Sequence, residues 1–116
     1  MNFQQAVQTC FRKYVDFSGR ASRPEYWWFF LGYVICAFVG GIVHNAVYYL
    51  VVLVFLLPLL AVGARRLHDV GRSGWFLLLG LIPVIGTLVL LYFMVQPSQP
   101  ESNAYGPPGA ALPATL

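Results

Sequence analysis

Charged side chains are scarce in this sequence. Asp, Glu, Lys and Arg together make up 9% of the 116 residues, whereas a soluble domain contains about 25%. Hydrophobic residues account for 59% of the chain and aromatic residues for 16%. A water-soluble monomer of this size could not bury so much apolar surface. The composition therefore excludes that class and indicates a membrane protein.

Residues that bind metals or form disulfides are also few. The chain has two cysteines and two histidines, with no Cys-x-x-Cys pair and no glycine-rich phosphate loop. Cys36 lies twelve residues beyond Pro24, about 18 Å along a helix, and is therefore too far from the surface-located Cys10 for a disulfide. The sequence predicts no cofactor, no metal site and no catalytic residue.

The sequence instead contains long runs of residues without charge. The run from Tyr26 to Ala64 has 39 residues, which as one helix would extend about 58 Å, roughly twice the ~30 Å hydrocarbon core. It must therefore cross twice, and the stretch "GGIVHNA" (40–46) supplies the break. Another 21 residues, Trp75 to Val95, form the next run. These lengths predict an all-α integral membrane protein with three transmembrane helices, at about residues 23–43, 46–67 and 74–95.

The first 21 residues are too polar to cross a membrane. Apolar side chains recur at helical spacing from Phe3 to Phe17, and glutamines and charged residues take the opposite face. This pattern predicts an amphipathic helix in the membrane interface, or alternatively a helix that docks on a soluble partner. Gly19 allows the chain to bend, and Ser22 and Glu25 have the spacing of a capping box for the first crossing.

The basic residues set the predicted orientation. All seven Lys and Arg residues lie in the N-terminal segment or between the second and third apolar runs. The positive-inside rule assigns that side to the cytoplasm and, with three crossings, puts the C-terminus outside. The net charge of +3 is therefore explained by orientation and by contact with anionic lipid, not by nucleic acid. Residues 96–116, rich in proline, glycine and alanine, are predicted to be a disordered tail.

Small side chains recur at four-residue spacing in the first predicted crossing. Gly32, Cys36 and Gly40 fall on one helix face, which allows another helix to approach closely. The sequence leaves open whether that helix belongs to the same chain, to a second copy in a homo-oligomer or to another membrane protein.

Four motifs carry a family resemblance. They are "FSGRASRPEYW" (17–27), "RRLHDVGRSGW" (65–75), "PVIG" (83–86) and "NAYG" (103–106). In these motifs the chain resembles the bacterial domain of unknown function 805 family, DUF805, over roughly residues 15–106. The resemblance implies a multi-pass helical fold in the bacterial inner membrane, and it implies no activity.

The first two motifs are predicted to meet in one polar layer at the level of the lipid headgroups. The loop after the second crossing is short, so the next helix returns beside it and the arginines of the first motif lie close by. The candidate contacts for an anionic group are Arg20, Arg23, Arg65, Arg66, His68, Asp69 and Arg72. The candidate structural residues are Gly19, Ser22, Glu25, Trp27, Gly71, Ser73 and Trp75.

Three roles are open for this layer. Glu25 and Asp69 can pair with the arginines and fix the helix register. Because the arginines outnumber the acids, their planar guanidinium groups can also grip an anionic lipid headgroup or a partner. His68 beside Asp69 can act as a general base on a headgroup phosphoester. We expect a non-enzymatic accessory or scaffold module, with a transporter or channel subunit and a lipid-headgroup enzyme as alternatives.

Overall fold

The computed structural model describes residues 2–107, which form helices joined by short turns. The elements are α1 (Phe3–Arg12), α2 (Arg23–Val43), α3 (Asn45–Asp69), a 3-10 helix (Gly74–Leu81) and α4 (Ile85–Val95). The prediction of an all-α protein is confirmed.

The helices α2 and α3 are long and apolar enough to cross a membrane, with 21 and 25 residues. At about 1.5 Å per residue they extend roughly 31 and 37 Å, which matches the ~30 Å hydrocarbon core. The turn between them lies at His44, whose Nδ1 accepts a hydrogen bond of 3.0 Å from the Ala46 amide. The structure therefore has a helix at each of the first two predicted crossings.

Residues 74–95 form a hairpin of two short helices, not one continuous helix. The 3-10 helix ends at Leu81 and α4 starts at Ile85, so the direction of the chain reverses between them. At one end of the hairpin, a Cβ placed on Gly74 would lie 3.1 Å from the Ala64 Cβ. At the other end, the Met94 carbonyl accepts from the Arg66 Nε at 3.1 Å. Both ends therefore lie against the same end of α3, and the prediction of one continuous helix over 74–95 is wrong.

Three residues of the "PVIG" motif explain why this segment turns. Val84 has a φ of +64°, a conformation that β-branched residues rarely adopt. A Cβ on Gly86 would overlap the Leu79 carbonyl oxygen, so only glycine lets the two arms of the hairpin approach this closely. Pro83 lies in the turn and lacks the amide that a continuous helix would need. The uninterrupted hydropathy of the run concealed this break.

The amphipathic helix α1 packs on the transmembrane pair. The Phe11 ring centroid lies 5.3 Å from that of Phe29 on α2 and 5.4 Å from that of Phe55 on α3. Near the start of α1, Phe3 contacts Trp28 edge-to-face at 6.0 Å. The apolar stripe predicted for the interface, or for a soluble partner, therefore faces helices of the same chain.

The small-residue face of α2 has neighbours within the chain. A Cβ on Gly32 would lie 3.3 Å from the Phe3 ring, and one on Gly40 would lie 3.3 Å from Val47. Cys36, between them, is exposed. Two of the three positions therefore admit segments of the same chain, and an additional oligomeric or heterologous partner at Cys36 stays a prediction.

The tail, defined here as residues 96–107, folds back on the end of α3. The Gln99 amide donates to the Asp69 carbonyl at 2.9 Å, and Asn103 and Gly106 pair through both backbone amides. These twelve residues are therefore ordered at the arginine-bearing end of α3, whereas the sequence predicted disorder beyond the opposite side of the membrane. The rest of the predicted tail, 108–116, lies outside the described residues.

Apolar side chains cover the surface away from the arginines. Ile42 is 71% exposed, Leu53 is 66% exposed and Leu81, near the hairpin turn, is 79% exposed. A small aromatic core lies under α1, where Phe29 and Phe55 are buried. Large apolar surfaces of this kind are stable when hydrocarbon covers them, so the fold is consistent with a membrane protein.

Candidate functional site

Asp69, the last residue of α3, is the centre of a buried ionic cluster. Its Oδ1 accepts from the Arg20 Nε at 2.8 Å, and its Oδ2 accepts from the Arg66 Nη1 at 2.7 Å. The Ser98 hydroxyl in the tail also donates to Oδ2. Because all three side chains of this ionic group are at most 3% exposed, the pairs form in a region of low dielectric, where each charge depends strongly on its partners.

Arg20 joins this cluster to the tail. Its Nη1 donates to the carbonyl of Glu101 at 2.9 Å and to that of Gly106 at 3.1 Å. Its Nη2 donates to the carbonyl of Gln99 at 2.7 Å and to that of Asp69 at 3.1 Å. The planar guanidinium group thus directs its donors to four backbone carbonyls and one carboxylate, a geometry that lysine cannot reproduce.

Arg66 joins the cluster to the hairpin. Its Nε donates to the Met94 carbonyl at 3.1 Å, and its Nη2 donates to the Gln96 carbonyl. Trp27 and Arg23 also donate to this end of α4, at 3.2 Å to the carbonyls of Met94 and Val95. The last carbonyls of a helix lack intrahelical donors, so these side chains cap α4 and hold it against α2 and α3.

Arg65 forms a second buried pair with Glu25. The Arg65 Nη1 donates to the Glu25 Oε2, while the Glu25 amide donates to the Ser22 hydroxyl at 3.4 Å. One half of the predicted capping box is therefore present, and the carboxylate pairs with Arg65. Cys10 of α1 lies 4.0 Å from the same carboxylate. Burial raises the pKa of the Cys10 thiol to about 12, so the thiol is neutral at physiological pH.

His68 is oriented by backbone and aromatic contacts instead of by its neighbour Asp69. Its Nδ1 lies 2.9 Å from the Gly19 carbonyl oxygen, and its ring stacks on Tyr105 with centroids 3.9 Å apart. Because a carbonyl only accepts, Nδ1 carries the proton of the neutral ring and Nε2 is left as an acceptor. The Nδ1 that would have to donate to Asp69 in a His68–Asp69 general base is thus engaged by the Gly19 carbonyl oxygen.

The remaining predicted site residues lie at the edge of the cluster. Arg23 is exposed, and the exposed Arg72 guanidinium lies 5.2 Å from the Phe93 ring centroid. Ser73 accepts from the Trp75 amide at 3.2 Å, as a helix cap does. The glycines of the two motifs, Gly19 and Gly71, both have a φ of +81°.

We define the arginine layer by the inner residues that the structure brings together, namely Arg20, Glu25, Arg65, Arg66, His68 and Asp69.

Sequence reasoning missed the tail residues that complete the layer. Ser98 contacts Asp69, and the Asn103 side chain donates to the His68 carbonyl at 2.9 Å. The "NAYG" motif is the sequence signal that could have found Asn103 and Tyr105. Most of the remaining acceptors are backbone carbonyls, which have no side-chain signature in a sequence.

Comparison with known proteins identifies the family. Residues 14–107 match the family described as "Protein of unknown function (DUF805)". The chain belongs to DUF805. The DUF805 match ends at Pro107, so it includes the tail residues that bind Arg20.

Two curated proteins are similar to this DUF805 chain over most of their length. Inner membrane protein YhaH of Escherichia coli strain K12 is 42% identical over 108 residues, which cover 83% of this chain and 88% of YhaH. Inner membrane protein YhaI of the same strain is 46% identical over 105 residues, which cover 82% of this chain and 86% of YhaI. No solved structure matches the chain. The resemblance inferred from the four motifs is confirmed.

Proposed function

We propose that this chain is a non-enzymatic accessory module of the bacterial inner membrane, in which the arginine layer closes one face of the protein and an outer set of basic residues contacts anionic lipid. One observation supports this division of roles. Arg20, Arg65 and Arg66 are at most 3% exposed and donate to carboxylates and carbonyls of the same chain. Because the donors of these buried arginines are directed to groups of the same chain, a structural role is favoured over direct binding of a lipid phosphate.

The proposed topology has two crossings and a re-entrant hairpin. The N-terminal segment and the tail both contact the arginine layer, so we assign both to the cytoplasmic side by the positive-inside rule. The 3-10 helix has eight residues and α4 has eleven, and each extends about 16 Å. The hairpin therefore reaches about the middle of a ~30 Å hydrocarbon core. This assignment replaces the external C-terminal segment expected from three crossings.

Cysteine labelling tests the topology. In a Cys10→Ser, Cys36→Ser background, single cysteines at Ser18 and Ser102 should react with an impermeant maleimide only from the cytoplasmic side. A cysteine at His44, in the turn between α2 and α3, should react only from the opposite side. Labelling of positions 18 and 102 from different sides would rule out the re-entrant hairpin.

The lipid contact is assigned to the rim, which we define as Arg12, Lys13, Arg23 and Arg72. Arg12 lies at the end of α1 and Arg23 at the start of α2, and Arg72 follows α3. Each basic residue near an anionic leaflet contributes about 1 kcal/mol to attraction. A scaffold held against anionic lipid in this way requires no nucleophile and no paired His68–Asp69 base.

Lipid retention tests the rim. Native mass spectrometry of the purified protein from mixed nanodiscs should detect retained phosphatidylglycerol. Replacing all four rim residues by glutamine should reduce that retention at least tenfold, because several favourable charge contacts are lost together. A matched variant with Gln4→Ala and Gln8→Ala changes exposed polar residues of α1 without changing charge and should retain the lipid. Equal retention by the rim variant and the unaltered protein would contradict the assignment.

A further inference from the structure

A cavity of about 480 Å³ lies beside the arginine layer, between α3 and the 3-10 helix. This volume lies within the range of about 300–1,000 Å³ that is typical of small-molecule sites. Its walls are mostly apolar and include Phe17, Leu60, Trp75, Leu77 and Leu78, while His68 and Ser73 supply polar groups. The tail closes one side with Tyr105, which stacks on His68.

The two polar side chains offer complementary hydrogen-bonding groups. Because the His68 Nδ1 donates to the Gly19 carbonyl, the Nε2 of the neutral ring is an acceptor. The Ser73 oxygen accepts from the Trp75 amide, which leaves the hydroxyl proton of Ser73 available to donate. A carboxylic acid presents the matching pair, an O–H donor and a C=O acceptor, on one carbon atom.

Gly74 keeps this part of the cavity open. A Cβ at position 74 would lie 3.4 Å from the His68 Nε2 and 3.1 Å from the Ala64 Cβ. The missing side chain therefore leaves the Nε2 accessible at the point where the 3-10 helix passes α3. The role of Gly74 in the second motif is therefore steric, because the nitrogen beside it, the Nε2 of His68, can form a hydrogen bond.

The apolar walls continue onto the surface that faces hydrocarbon. Trp75 is 78% exposed, Leu78 is 56% exposed and Phe17 is 41% exposed. A ligand that enters along these residues comes from the bilayer and has an apolar body.

We propose that this cavity binds one long-chain fatty acid, with the carboxyl group on the His68 Nε2 and the Ser73 hydroxyl and the hydrocarbon chain along Leu60 and Leu78. The site goes beyond the proposed lipid contact, because its lining contains no residue of the rim and it recognises a single chain instead of a phosphate.

Photo-crosslinking tests this site in the full chain. A diazirine-bearing palmitic acid, added to the protein in nanodiscs, should label residues that line the cavity. Unlabelled palmitic acid should compete at least tenfold better than methyl palmitate, which lacks the donor, as expected when one or two hydrogen bonds are lost. Equal competition by the two would overturn the assignment of the carboxyl group, and equal competition by hexadecanol would assign the site to a hydroxyl lipid instead.

A matched pair of substitutions separates the cavity from general apolar attraction. Leu78→Trp fills the cavity and should reduce labelling at least tenfold. Leu88→Trp makes the same change at an exposed position of α4 outside the cavity lining and should leave labelling unchanged. Labelling that both variants reduce equally, or labelling of the intact chain outside the lining residues, would overturn the proposal. Retention of phosphatidylglycerol by the same variants reports on the rim independently.

Discussion

The two ends of the α2–α3 pair have opposite distributions of polarity. At one end, residues 61–69 are all buried, although they include two arginines, a histidine and an aspartate. At the other end, residues 41–50 are all exposed, although most are apolar. In water the reverse arrangement would be stable. The first end is held by directional hydrogen bonds within the protein, whereas the second depends on surrounding hydrocarbon, so substitutions at the two ends should fail in different ways.

Asp69→Asn should have the largest effect on stability. The change leaves Arg20 and Arg66 in a buried region with less negative charge, so we expect a loss of about 3–5 kcal/mol in the free energy of unfolding. Unfolding by a denaturing detergent, monitored by tryptophan fluorescence, measures this loss. Glu101→Gln removes an exposed carboxylate and should change the free energy by no more than about 0.5 kcal/mol. Similar effects of the two substitutions would mean that the buried charges at the arginine end do not depend on their partners.

Gly86→Ala tests packing away from the arginine end, where the hairpin turns. The added Cβ would overlap the Leu79 carbonyl, so the arms must separate at a cost of about 1–3 kcal/mol. Gly80→Ala is the matched control, because its Cβ would lie 3.5 Å from Leu90, an ordinary contact. The same unfolding measurement distinguishes the two. Equal free energies of unfolding for the two variants would mean that the arms of the hairpin lie farther apart than in the structure.

Arg20→Lys keeps the positive charge at the arginine end but removes the planar arrangement of guanidinium donors, and so separates the two contributions. A lysine can pair with Asp69 but cannot reach the carbonyls of Gln99, Glu101 and Gly106 together. Hydrogen exchange at the tail amides, such as that of Gln99, should therefore accelerate about tenfold, which corresponds to the loss of roughly one charged hydrogen bond. Arg12→Lys, at an exposed arginine of α1, should leave tail exchange unchanged. Equal exchange in both variants would remove Arg20 as the anchor of the tail.

The sequence predicted the arginine layer better than the hairpin, and the reason is physical. Charge placement restricts where residues 17–27 and 65–75 can lie, and the two motifs do meet around Asp69. Hydropathy does not distinguish a helix that crosses from one that turns back, so Trp75 to Val95 was predicted as one span. The turn depends on a steric contact of Gly86 and on the backbone conformation of Val84. Because the hairpin returns the chain to the arginine end, the tail also lies there. The carbonyls of Met94 and Gln96 accept hydrogen bonds from Arg66 as a result.

The two cysteines differ in environment, since Cys10 is buried and Cys36 is exposed. The prediction for Cys10 has the smallest expected effect. Cys10 is buried beside Glu25, and its pKa is raised to about 12 from an ordinary value of 9.0. In a Cys36→Ser variant at pH 8, iodoacetamide should therefore alkylate folded Cys10 at least about a hundredfold more slowly than the unfolded chain, because the thiolate is the reactive form. Between pH 9 and 12 the unfolded chain releases this proton and the folded chain retains it. The free energy of unfolding should consequently fall as the pH rises through that range, and the decline should be smaller in Cys10→Ser. Alkylation of folded Cys10 at the unfolded rate would show that α1 does not cover the arginine end in solution.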